Sequence, residues 1–323
     1  MLLKRFVKAG SVLSVSAAVC LFWGCADIVG ESEAFFEPPS VFLPEEEPVV
    51  QQADAAALAF QVGCSREGLE AAVNSYLAAL AAGDHTLMPL TESARYVEND
   101  SRTVTFGQGL WQAPIIPDFH LNLLDVDECA TFTEVIVANT TPQYILGVRL
   151  QVEADNSTSV LHPPRMLRSA SAGGRISEVY VVATWQGHWL FNANNFLLYS
   201  QREDWSELPE NQRITREELR AGAQAYFDYF GDKTVDVPWG IPCARLEGGA
   251  YTGDRPTSSC NIGIPDVAAP IRHTRPYLVD VNHGMVVLFV FFGGPDTHLF
   301  RILPTGYRYI HTLTAMLQSD FQP

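Results

Sequence analysis

Lysine is nearly missing from this chain: Lys4 and Lys8 lie in the first ten positions, and Lys233 is the one lysine beyond them. The 21 basic residues face 37 acidic ones, for a formal net charge of −16. An acidic body without a basic stripe excludes a nucleic-acid binder, since cationic contacts with phosphate supply most of that affinity. It also argues against docking on anionic lipid headgroups. Cys-x-x-Cys, His-Glu-x-x-His, a phosphate-binding Gly-rich loop with Lys, and Gly-x-Ser-x-Gly are all missing. Zinc, metalloprotease, NTPase and typical α/β-hydrolase readings therefore fall away, and neither a metal nor another cofactor is expected.

What the chain does have begins with an export signal. Lys4, Arg5 and Lys8 form a basic start, and the uncharged, mostly apolar Ser11–Trp23 follows. At 13 residues that stretch is short of the ~20 needed to span a bilayer. Residues 1–25 read as a signal peptide. Two cleavage patterns overlap at its end. Gly24-Cys25 resembles a bacterial lipoprotein site with Cys25 as the lipidated residue, although Phe22 and Trp23 stand where that signal carries Leu and a small residue. Gly24-Cys25-Ala26 also fits ordinary small-x-small cleavage. The protein is thus expected to be exported, and either held at a cell-envelope membrane by an N-terminal lipid alone or secreted. Residues 26–60 carry eight acidic side chains, four prolines and no basic residue, the composition of an extended, solvated tether.

Four cysteines remain beyond the tether: Cys64, Cys129, Cys243 and Cys260. Two fall in each half, which suits one disulfide per half in an oxidising compartment.

The two halves repeat one pattern. Ser65-Arg66-Glu67-Gly68-Leu69 and Thr215-Arg216-Glu217-Glu218-Leu219 each open with a helix N-cap followed by acidic first-turn residues. Apolar positions then recur at helical spacing: Leu69, Val73, Tyr76, Leu77 and Leu80 against Leu219, Ala223, Tyr226, Phe227 and Phe230. Ala94-Arg95-Tyr96-Val97-Glu98-Asn99 lines up with Cys243-Ala244-Arg245-Leu246-Glu247-Gly248. Strand-like stretches follow at 131–138, 144–152 and 175–183, and at 285–292, 298–303 and 307–317. A helix first and strands later predicts an α+β fold rather than a parallel sheet. The aromatic-rich connector 186–213 is expected to pack along an interface between a first domain at 61–185 and a second at 214–323.

This order of elements resembles the nuclear transport factor 2-like superfamily, which includes SnoaL-like cyclases and ketosteroid isomerases. It also resembles a family of secreted two-domain proteins of unknown function. The residues carrying the match are Cys64-Ser65-Arg66-Glu67, 74–80, Glu98-Asn99 and Gly107–Trp111, then 215–219, Tyr226-Phe227, 243–247, Cys260, 272–280 and 286–292. The resemblance implies two tandem cone-shaped domains, each a long N-terminal helix wrapped by a curved antiparallel sheet. It also implies an apolar pocket in each.

Glu98 and Glu247 are the candidate catalytic carboxylates, because they recur at matching positions near Arg95 and Arg245. A carboxylate against apolar walls has a raised pKa and can abstract a proton from a carbon acid; a Glu–Arg pair fixing a strand end is the plainer alternative. Tyr76 and Tyr226 could turn hydroxyls into the pockets or simply pack. Trp111 could line a pocket mouth or the core. Arg272, His273 and Arg275, with Asp280 and His283 nearby, form the densest polar group of the second half. There an arginine could receive a ligand carboxylate, or the group could be a surface ion network. Two functions follow: an exported module binding an apolar or carboxylate small molecule, or a lyase-, isomerase- or cyclase-type enzyme using a pocket carboxylate.

Overall fold

The computed structural model describes residues 64–100, 104–153, 174–253, 255–265 and 271–316. The signal peptide, Cys25 and the tether lie outside them. Helix α1 (Arg66–Ala82) starts where the Ser65 hydroxyl accepts from the Gly68 N–H, and it stops at Gly83, whose left-handed backbone (φ 66°) returns its N–H to Ala79 and Leu80. Helix α3 (Arg216–Gly231) starts at a reciprocal capping box between Thr215 and Glu218. Between them lies the short helix α2 (Ala193–Ser200).

Each long helix covers one sheet. In the first half β1 (Leu90–Glu98), β2 (Phe119–Asp125), β3 (Ala130–Val137), β4 (Tyr144–Glu153) and β5 (Arg175–Thr184) take the order β1-β5-β4-β3-β2. In the second, β6 (Ala244–Glu247), β7 (Ala250–Tyr251), β8 (Arg272–Asp280), β9 (Met285–Phe291), β10 (Pro295–Leu303) and β11 (Gly306–Thr314) take the order β7-β6-β11-β10-β9-β8. Apart from the β7 edge strand the orders are the same, so the repeat read from the sequence is also a repeat of topology.

The fold is α+β, but the sheets are mixed rather than antiparallel. β1 pairs parallel with β5, and β6 parallel with β11. The cause is parity. The strand after β1 starts at the end where β1 finishes, and a meander of four strands brings its last member back in the direction of β1.

Alternation along the strands gives each sheet two apolar faces. Leu146, Val148, Val179 and Val181 face α1, whereas Val286, Leu288, Phe300 and Ile310 face α3. The opposite faces stack on each other through Phe132, Tyr180 and Val182 against Val287, Phe289 and Leu313, and the connector adds Phe196 and Trp205 to that layer. Gly147 allows the close approach: a Cβ there would meet the Thr297 side chain at 3.0 Å. The layers therefore run helix, sheet, sheet, helix.

Two reciprocal clasps lock the stack. Arg66 at the start of α1 forks onto Asp280 at the end of β8 (3.1 and 2.7 Å), and Arg216 at the start of α3 forks onto Asp125 at the end of β2 (2.8 Å twice). Each carboxylate also accepts a backbone N–H from the other half, Leu124 to Asp280 and Val279 to Asp125. Disulfides join Cys64 to Cys129 and Cys243 to Cys260, which accords with an oxidising, extracytoplasmic location. Among the described residues no helix is long and apolar enough to cross a membrane.

Candidate functional site

A cavity of about 520 Å³ opens between α3 and the second sheet. Most of its wall is apolar: Phe230, Ile264, Pro265, Phe292 and Met316 contribute, with Trp189 of the connector. The polar wall comes from three strands. β6 supplies Arg245 and Glu247, two residues apart and so on one face; β10 supplies His298, and β11 supplies Thr312 and Thr314. Tyr226 reaches in from the helix.

The acid–base groups are held firmly. Asp296, fully buried, lies 2.6 Å from His298 Nδ1 and also accepts from the Thr314 hydroxyl. A carboxylate can only accept, so it holds the proton on Nδ1 and leaves the Nε2 lone pair of the neutral ring facing the other way. No described residue hydrogen-bonds Nε2. The Tyr226 ring lies 5.6 Å from the imidazole and the Phe227 ring 4.8 Å from it. Burial pushes the Tyr226 hydroxyl up to about 12, while the nearby Arg245 guanidinium draws it down and Glu247 raises it. The phenol is therefore a neutral donor at pH 7.

Glu247 is engaged on both oxygens. Trp189 Nε1 donates to Oε1 at 2.8 Å, and Arg245 Nε lies 3.4 Å from Oε2. Arg245 is fixed in turn by the carbonyls of Cys260 and Ile262. The Cys243–Cys260 disulfide thus braces the loop that aims the arginine. Gly248 and Gly249, with φ of 61° and 134°, follow at once. A Cβ on either would run into connector backbone between Trp189 and Asn192, so glycine here lets the connector lie against the cavity.

The first half is built differently. Glu98 accepts from the Tyr96 hydroxyl at 2.6 Å and from the Leu110 N–H at 3.2 Å. Trp111 is buried among Tyr76, Tyr96, His85 and Phe106, so its ring fills the space between helix and sheet rather than lining a mouth. Arg95 lies three residues before Glu98 and hence on the opposite face, where it meets Glu178 at 2.7 Å. Tyr96, not Arg95, stands where the second half has Arg245.

Arg272, His273 and Arg275 lie apart from the cavity, along a polar groove with Asn99, Asp100 and Phe291. Arg272 covers the Phe291 ring, and Arg275 covers the Tyr180 ring at 4.2 Å. Asp280 and His283 belong to the Arg66 clasp. The structure thus brings together Tyr226, Arg245 and Glu247, and it adds His298 and Asp296, which the sequence did not single out. Their signal was parity: two polar side chains at i and i+2, followed by Phe300 and Ile302 on the same face of a strand. Among the described residues no group of three His, Cys, Asp or Glu side chains is placed to hold a metal ion.

Residues 212–314 match the model of a family described as a domain of unknown function (DUF8021). That span contains α3, the second sheet and the polar wall of the cavity. No curated protein and no solved structure matches the chain.

Proposed function

We propose that this is an exported, lipid-anchored protein whose second half binds a compact, largely apolar small molecule and moves a proton on it through His298. The observation that carries this reading is the buried Asp296–His298 pair on the wall of an apolar cavity, with Nε2 unengaged by any described residue. In the neutral ring, Nε2 takes a proton from a carbon acid while Asp296 stabilises the imidazolium that forms. Tyr226, a neutral phenol, donates to the oxygen on which negative charge develops. Return of the proton at another carbon is an isomerisation, and loss of a β-substituent is an elimination. The resemblance of each half to cone-shaped nuclear transport factor 2-like domains supports a pocket between helix and sheet. Basic residues before an apolar stretch ending at Cys25 support the anchor.

The full-length protein, incubated with an extract of soluble metabolites in D2O and followed by mass spectrometry, tests this directly. A compound that gains deuterium or is consumed should be spared by His298→Gln, with its retention on the protein unchanged. Ile264→Trp, which puts a bulky ring on the cavity wall, should abolish both. If His298→Gln leaves turnover intact and Glu247→Gln stops it, the base is the carboxylate. Binding without turnover is the second reading, favoured by the Trp189 and Arg245 contacts that tie Glu247 down.

A further inference from the structure

Away from the cavity, on the face of the first sheet that looks toward the second, three arginines converge in an otherwise acidic protein. Arg95 of β1, Arg149 of β4 and Arg275 of β8 surround Glu178 of β5 at 2.7, 3.7 and 3.7 Å. They line a groove of about 540 Å³, with Ser93, Ser177 and Gln151 offering further polar atoms. Three cations share one central carboxylate. Glu153 stands at the exposed lip, and Asp100 reaches Arg275 at 3.7 Å.

Arg149 is the unusual member. Its side chain is 4% exposed, yet its nearest carboxylate is 3.7 Å away, and its one hydrogen bond among the described residues is to the Gln151 amide oxygen. Nε is buried and has no hydrogen-bond partner among the described residues. Burial draws its pKa down, Arg275 adds to that, and Glu178 opposes it. A guanidinium removed from water requires a close anion and filled donors. Glu178 alone, with one oxygen already bonded to Arg95, does not supply them.

We propose that this groove is a second ligand site, separate from the cavity, that takes a compact multivalent oxyanion of the phosphate or dicarboxylate class. The anion would accept from the Arg95 and Arg275 guanidiniums, whose planar forks suit two-oxygen recognition, while the buried Arg149 contributes its charge from behind them. Ser93 and Ser177 hydroxyls would complete its shell. Glu178 then competes with the ligand, holding the arginines in place while the site is empty.

That competition sets the test. Inorganic phosphate and malonate are titrated into the full-length protein at constant ionic strength, and binding is read by calorimetry and by the shift in Tm. Saturable binding with Kd below about 1 mM is expected, with the tighter of the two anions identifying the subclass. Arg95→Ala removes a side chain that is 64% exposed, so it should leave folding intact while weakening binding about tenfold. Glu178→Gln should tighten binding by a similar factor, because it removes the competing charge while preserving shape. His298→Gln should leave anion binding unchanged, which separates this site from the cavity chemistry. Non-saturating stabilisation that is equal in the wild type and Arg95→Ala would overturn the proposal. So would binding that Glu178→Gln fails to tighten.

Discussion

The Arg66–Asp280 clasp should be measurable as a pH-dependent coupling between the two halves. Asp280 is buried, and burial pushes its carboxyl up, but hydrogen bonds and charge from His283 and Arg66 outweigh this and hold it down at about 2. The fall from the ordinary 3.8 corresponds to roughly 2 kcal/mol of stability. Because the folded value is depressed, that contribution is fully present above pH ~4 and is lost as pH falls through about 2. Arg66→Met keeps the aliphatic stem and removes the fork. His283 and the Leu124 N–H still reach Asp280, so the cost at pH 7 should be about 2 kcal/mol, below the usual 3–5 for stranding a buried charge. Urea unfolding followed by tryptophan fluorescence, at pH 7 and at pH 2.5, gives the difference between wild type and variant. It should shrink by more than half at the lower pH. A double-mutant cycle with Asp280→Asn should return most of the loss as coupling. A cost that is the same at both pH values would mean the arginine acts through packing, and the electrostatic account would fail.

Two further effects follow from the same layers. Replacing Cys64 and Cys129 together by alanine opens a link across 65 residues; in the chain-entropy picture this should cost about 4 kcal/mol, visible as a lower urea midpoint, while Cys243→Ala with Cys260→Ala should cost less stability but loosen Arg245 and weaken cavity binding. His311 is buried between Glu134 and Glu203 at 2.9 and 2.6 Å; burial pushes its pKa down, but the two carboxylates override this and raise it to about 10. Its stabilisation is complete below its ordinary value near 6.5 and fades as pH rises through about 10. A Tm profile from pH 7 to 10 should therefore decline in the wild type, by on the order of 5 °C, and be flatter in His311→Gln.

Much of this architecture was legible in local chemistry. Ser65 and Thr215 announce their helices because a side-chain acceptor ahead of an apolar repeat satisfies the free N–H groups of the first turn, and both cap as expected. The strands at 131–138, 144–152 and 285–292 were visible as apolar runs, as was the stretch 307–317, of which Gly306–Thr314 is strand, and the half-by-half distribution of cysteines anticipated both disulfides. Tyr226, Arg245 and Glu247 were marked by the repeat, and they meet at one cavity.

What the sequence could not decide depends on partners distant along the chain. The arginine after each cap carries no sign that its carboxylate is 214 residues away, as for Arg66 and Asp280, or 91 away, as for Arg216 and Asp125. The parallel edge of each sheet comes from where a loop re-enters, which hydrophobic patterning does not encode. Equivalent positions also diverge: Glu98 accepts from the Tyr96 hydroxyl and the Leu110 N–H, whereas Glu247 opens on a cavity. The difference lies in which side chains each intervening loop lays against its helix. Local sequence determined the two long helices, most of the strands and the repeat, because caps and periodicity act over a few residues. Only the tertiary structure decided that Arg245, Glu247 and His298 meet on one cavity wall, because that follows from stacking two sheets and wrapping a connector around them.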